Sequence, residues 1–118
     1  MILAGLNGAM AIAFAAWGAH GLDGDAARWV ERGSQFQLLH AVALLALARH
    51  CAERRRLFRP AGTLMVVGIV MFSGSLYLKA LGSSLPLPMV TPLGGISLIA
   101  SWLLLALAGL LAQEHARV

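Results

Sequence analysis

The chain of 118 residues is 59% hydrophobic and only 12% charged, and its mean hydropathy is +0.79. That composition excludes an ordinary soluble domain and places the sequence among integral membrane proteins. The formal net charge of +4 does not point to nucleic acid, because no aromatic-interleaved basic surface accompanies the arginines. The single cysteine, Cys51, has no intramolecular partner and reads as a small apolar filler in a reducing compartment.

The first apolar window runs from Ile2 to about Ala19. Its small residues could suit a secretory leader, but no Lys or Arg precedes the run and it is too long for a leader core, so an uncleaved first helix is expected. Gly5, Ala9 and Ala13 follow one another at i+4, and Ala4, Gly8, Ala11, Ala15 and Ala19 at steps of three or four. Small residues at that spacing let a second backbone approach closely, which would make this helix central to a bundle or a dimer. Plain alanine abundance in an apolar helix is the competing explanation. The stretch GLDGDAARWVERGS then breaks the run, and its residues 25–32 suit a short interfacial helix with Asp25 as N-cap.

A second window, about 35–50, is short for a hydrocarbon core of about 30 Å, so it must tilt little or be shielded by neighbours. The third, about 60–79, has Pro60 where a helix start favours it, and the fourth, about 92–112, has Thr91 as N-cap before Pro92. Between them, ALGSSLPLPMV is a loop dense in Gly, Ser and Pro. The expected fold is all-α: one domain, residues 1–118, forming an integral membrane four-helix up-and-down bundle. Arg49, Arg54, Arg55, Arg56 and Arg59 crowd the second connection, and Arg117 lies near the C-terminus. The other side holds Arg28, Arg32 and Lys79, so the excess of basic residues places both termini in the cytoplasm.

On this topology the polar residues of the spans collect at the extracytoplasmic end: His20, Gln37, His40, Ser73, Ser75, Tyr77, Thr91, Gly94 and Gly95 are the candidate ligand-binding residues. Gln37 and His40 share a helix face, as do Ser73 and Tyr77, whereas Ser75 points about 200° away and must meet a different neighbour. Unpaired polar groups in hydrocarbon cost several kcal/mol, so these side chains require protein, water or a ligand. His20 and His40 could ligate a metal or haem, relay protons, contact a quinone or lipid, or pair structurally. No Cys or carboxylate within the helices completes a metal set, so no metal site is expected, and the cofactor, if any, is not legible. The amides opening the fourth helix, with Lys79 nearby, could hold an anion, although Lys79 more often reaches to headgroups. Asn7 reads as interhelical glue, and Trp17, Trp29, Trp102 and Tyr77 as interfacial aromatics, with Trp102 too deep to fit that rule well. Gly74, with Gly5, Gly8, Ala9 and Ala13, is assigned to helix packing.

Four segments, GAHGL (18–22), FQLLHAVALL (36–45), FSGSLYL (72–78) and TPLGG (91–95), together resemble domain-of-unknown-function family 423, which contains small bacterial inner-membrane proteins of the YgdD type. The sequence is also similar to the eukaryotic transmembrane protein 256, associated with mitochondria. The resemblance implies a multi-helix protein of the bacterial inner membrane and no particular activity. Phe36 stands where tyrosine is common in the family pattern of aromatic-Gln-x-x-His. The functional expectation is a non-catalytic binding or accessory bundle, taking lipid, quinone or another small molecule at its polar end, with a second copy or a larger membrane complex as partner. An oligomeric channel or transporter is the alternative. A membrane enzyme is disfavoured, because no nucleophile–base pair is visible and no catalytic residue can be named.

Overall fold

The computed structural model describes residues 1–53, 55–84, 86 and 88–117. Arg54 of the arginine cluster, and Leu85 and Leu87 of the loop before the last helix, lie outside the described residues. Among the described residues the chain forms four helices and no strand: α1 (Ile2–Gly21), α2 (Gly24–Glu53), α3 (Arg55–Ala80) and α4 (Val90–Arg117). Three of them, over 2–21, 56–80 and 90–114, are long and apolar enough to cross a membrane.

The ends of these helices are set by particular residues. After α1 the backbone extends at Leu22, and Gly24 enters α2 at φ +62°, a conformation that glycine adopts without steric cost. Asp25 in the first turn of α2 complements the helix dipole and pairs with Arg28 at 2.6 Å. α3 stops in a Schellman motif: Ser83 N–H donates to the Leu78 carbonyl at 3.0 Å and Gly82 N–H to the Lys79 carbonyl at 3.1 Å, with Gly82 at φ +76°.

The helices are antiparallel in sequence order, and glycines mark the close approaches. A Cβ on Gly18 would meet Val30 at 2.9 Å, one on Gly33 the Tyr77 ring at 2.8 Å, and one on Gly68 the Leu98 side chain at 2.7 Å. At Gly94 the clash would be with the Phe72 backbone nitrogen. The helix backbones pack in chain order, α1 on α2, α2 on α3 and α3 on α4, and α1 does not approach α4. The result is a flattened array measuring 56 × 26 × 17 Å, with α2 and α3 in the middle and α1 and α4 at the edges. Within one chain α1 is therefore peripheral and not central to the bundle. Its buried line is Ala4, Ala11 and Gly18, whereas Gly5, Ala9 and Ala13 face outward.

Three element boundaries differ from the sequence reading. The separate interfacial helix at 25–32 and the short span at 35–50 are one helix of 30 residues, α2. Polarity was the reason to divide them, but polarity does not break a helix. No proline lies between 24 and 53, and Gly33 costs only about 1 kcal/mol of helix propensity while making room for the Tyr77 ring. α3 begins at Arg55, so Pro60 lies inside it and removes only an early intrahelical bond. α4 begins at Val90, which puts Thr91 within the first turn instead of at the cap.

The interior has two halves. Toward the end carrying the termini and the arginine cluster, the arginine end, Ala4, Leu44, Leu47, Phe58, Met65, Ile69, Leu98 and Ala108 form an apolar core drawn from all four helices, with half-buried Cys51 at its margin. Toward the opposite, loop end, the buried positions are largely polar: Ser34, Gln37, Ser73, Ser75 and the Tyr77 hydroxyl. The outward faces of α1 and α4 carry exposed Leu, Ile and Met along their length, as contact with lipid acyl chains requires.

Candidate functional site

The polar half is organised by a string of hydrogen bonds running down the α1–α2 interface. Tyr77 Oη donates to Gln37 Oε1 at 2.7 Å, Gln37 Nε2 donates to Asn7 Oδ1 at 3.2 Å, and Asn7 Nδ2 donates to the Leu3 carbonyl at 3.0 Å. Every donor in the string points the same way, so each bond polarises the next. The Tyr77 ring is clamped from the other side by Phe14, stacked at 3.8 Å between centroids and 11° between planes. Three helices thus meet at one phenol.

The serines behave as their spacing requires. Ser73 turns to α2 and donates to the Gly33 carbonyl at 2.8 Å. Ser75 turns the other way: its hydroxyl donates to the Phe72 carbonyl at 2.9 Å and meets Thr91 Oγ1 of α4 at 2.6 Å. With Ser75's one proton committed to Phe72, Thr91 is the donor of that pair. Thr91 is therefore an interhelical tie and not the N-cap of α4.

His40 has both ring nitrogens engaged. Trp102 Nε1 donates to His40 Nε2 at 3.1 Å, which leaves Nδ1 as the protonated nitrogen, donating to the Phe36 carbonyl at 2.7 Å. This accounts for Trp102, whose depth in α4 conflicts with an interfacial role. No buried side-chain nitrogen or oxygen among the described residues lacks a hydrogen-bond partner.

The sequence-nominated residues therefore do not gather at one end. Gln37 and His40 are the fourteenth and seventeenth of the 30 residues of α2, near its midpoint, because α2 starts at Gly24 and not near residue 35. His20 is exposed near the C-terminus of α1 and about 18 Å along the bundle axis from the level of His40, so the two histidines do not converge. Gly94 is buried against the α3 backbone, while Gly95 faces the Phe72 ring at 3.8 Å. Gly74 has nothing within 4 Å of its Cβ position, so it does not admit a neighbouring helix, and Gly5 is equally open. A Cβ on Gly8 would touch that of Ala41 at 4.0 Å. Asn7, Phe14, Gly33 and Trp102 belong to the arrangement but not to the candidate ligand-binding set; Asn7, a lone amide in an apolar helix, and Trp102, an indole in mid-span, carry a signal in the sequence, and Phe14 and Gly33 carry none.

What remains open lies beside the string. A groove of about 550 Å³ at the loop end is bounded by Phe72, Leu76, Lys79, Thr91, Pro92 and Gly95. A second hollow of about 380 Å³ shares Phe72, Leu76 and Thr91 and is rimmed by Arg28, Trp29 and Arg32. Lys79 Nζ sits 4.4 Å above the Trp29 ring, tying α3 to the polar start of α2 by a cation–π contact.

Comparison with known proteins shows the family of the sequence. The family described as "Protein of unknown function (DUF423)" matches residues 14–95. A UPF0382 membrane protein of Haemophilus influenzae is 33% identical over 110 residues, covering 90% of this chain and 89% of its own. The UPF0382 membrane protein SERP0230 of Staphylococcus epidermidis is 38% identical over 115 residues, covering 93% of each chain. The UPF0382 inner membrane protein YgdD of Escherichia coli K12 is 36% identical over 112 residues, covering 89% of this chain and 84% of its own. No solved structure matches the chain. The chain belongs to the DUF423 family and is a multi-pass inner-membrane protein.

Proposed function

We propose that the protein is a non-catalytic binding or accessory component of the inner membrane, whose ligand is a lipid, quinone or similar amphiphile seated in the loop-end groove. The supporting observation is the contrast between the polar string, in which every buried group already has a partner, and the groove next to it, which has apolar walls in Phe72, Leu76 and Pro92 and polar groups in Thr91 and Lys79. Sites for small molecules combine apolar walls with a few placed polar groups in this way. On this reading Gln37, His40, Ser73, Ser75 and Tyr77 hold the groove's walls in register, while Thr91 and Gly95 face the ligand. The arginine end and both termini are cytoplasmic, and the groove opens in the extracytoplasmic leaflet.

Gly95→Leu fills the groove beside the Phe72 ring without meeting the α3 backbone, whose close approach is at Gly94. Mass spectrometry of protein extracted into a mild detergent is expected to find one amphiphile retained by the wild type and lost from Gly95→Leu, with the unfolding midpoint unchanged. A wild-type protein that carries no such molecule, or a Gly95→Leu variant that retains it, overturns the reading.

A further inference from the structure

The arginine end carries a second groove, between α3 and α4, of about 760 Å³. Its α3 wall is a single stripe in which Arg56, Arg59, Thr63 and Val67 follow at steps of three and four, with Leu64 beside them and Leu104 opposite on α4. Chemistry changes along the stripe: two guanidinium groups at the mouth, a hydroxyl one turn further in, then aliphatic side chains. From Arg56 to Val67 the stripe spans about 16 Å, so it descends well into the hydrocarbon. Arg56 and Arg59 are exposed and make no ion pair among the described residues, in contrast to Arg28, which is held by Asp25. Exposed guanidinium groups at a bilayer interface above an apolar channel complement a phosphodiester above an acyl chain in charge, in hydrogen bonding and in depth.

We infer that this groove binds one anionic phospholipid, its phosphate held by Arg56 and Arg59 and one acyl chain laid against Leu64, Val67 and Leu104. The site lies at the opposite end of the bundle from the loop-end groove and stands independently of the function proposed for it. Basic residues near a membrane surface contribute enough attraction for roughly a fivefold preference each, so the pair favours phosphatidylglycerol over phosphatidylcholine of the same acyl chains by about twenty-fivefold.

Native mass spectrometry of the full chain in neutral detergent, titrated with either lipid, measures this preference. One phosphatidylglycerol is expected to be retained by the wild type. The preference should disappear in Arg56→Gln/Arg59→Gln and persist in Arg28→Gln/Arg32→Gln, which alters the loop end. Val67→Trp, which occupies the apolar channel, is expected to weaken binding of both lipids. Equal retention of the two lipids by the wild type, or a preference that survives Arg56→Gln/Arg59→Gln or falls equally in both double variants, overturns the proposal. Full competition by glycerol 3-phosphate would also overturn it, since a headgroup alone would then account for binding.

Discussion

Tyr77 shows how a polar side chain is accommodated in the middle of a membrane protein. Its hydroxyl is not merely paired but is the first donor of a directed string whose later members, Gln37 and Asn7, are buried or half-buried on two other helices. Removing one partner strands the other in a low-dielectric interior, at a cost of about 1–3 kcal/mol. Tyr77→Phe and Gln37→Leu should each lower stability by about that amount. The double variant should lose much less than the sum, because both polar groups are then gone; unfolding in mixed micelles measures the cycle, and additive losses would show that the pair does not interact. That Gln37 and Tyr77 need partners is legible from residue type alone. That Asn7 is the next link is not, because it depends on the register of α1 against α2, which is fixed by Gly18 under Val30 and Gly8 beside Ala41.

Glycine sorts into two kinds at the level of the helices, and spacing does not distinguish them. Gly94 lets the α3 and α4 backbones touch and Gly33 accepts the edge of a clamped aromatic ring, whereas Gly5 and Gly74 look onto open space. An added methyl at Gly94 must push two helices apart, since the obstructing atoms are backbone. Gly94→Ala is therefore expected to destabilise by about 1–3 kcal/mol. Gly74→Ala should be neutral or slightly stabilising through helix propensity. Thermal unfolding of the two variants side by side checks this, and equal effects would contradict the assignment. The same element-level logic explains α2. Composition suggested a short span after an interfacial segment, yet the buried positions Val30, Ser34, Gln37, Ala41, Leu44 and Leu47 form one unbroken stripe at steps of three and four. Shielded between α1 and α3, this helix needs no uniformly apolar surface, so a hydropathy window understates it.

For the whole molecule, helix number and membrane location are legible from composition, because sustained apolar runs have no other stable environment. The arrangement of the helices is not, since an up-and-down order is compatible with a closed square as well as a flattened array. The charge asymmetry predicts that both ends of the chain face the cytoplasm: a C-terminal green fluorescent protein should fluoresce and a C-terminal alkaline phosphatase should be inactive, with the reverse outcome inverting the topology. The packing of each helix backbone on its predecessor bears on how the protein is made. When α2 has left the ribosome, its contact surface with α1 is complete. α3 then adds the phenol that joins three helices, and α4 closes onto α3 and brings the Trp102 indole to His40 of α2. Gln37 can meet Asn7 as soon as α2 has inserted and Tyr77 one helix later, whereas His40 Nε2 waits two helices, until α4 brings Trp102, so all but this last tie can keep pace with synthesis.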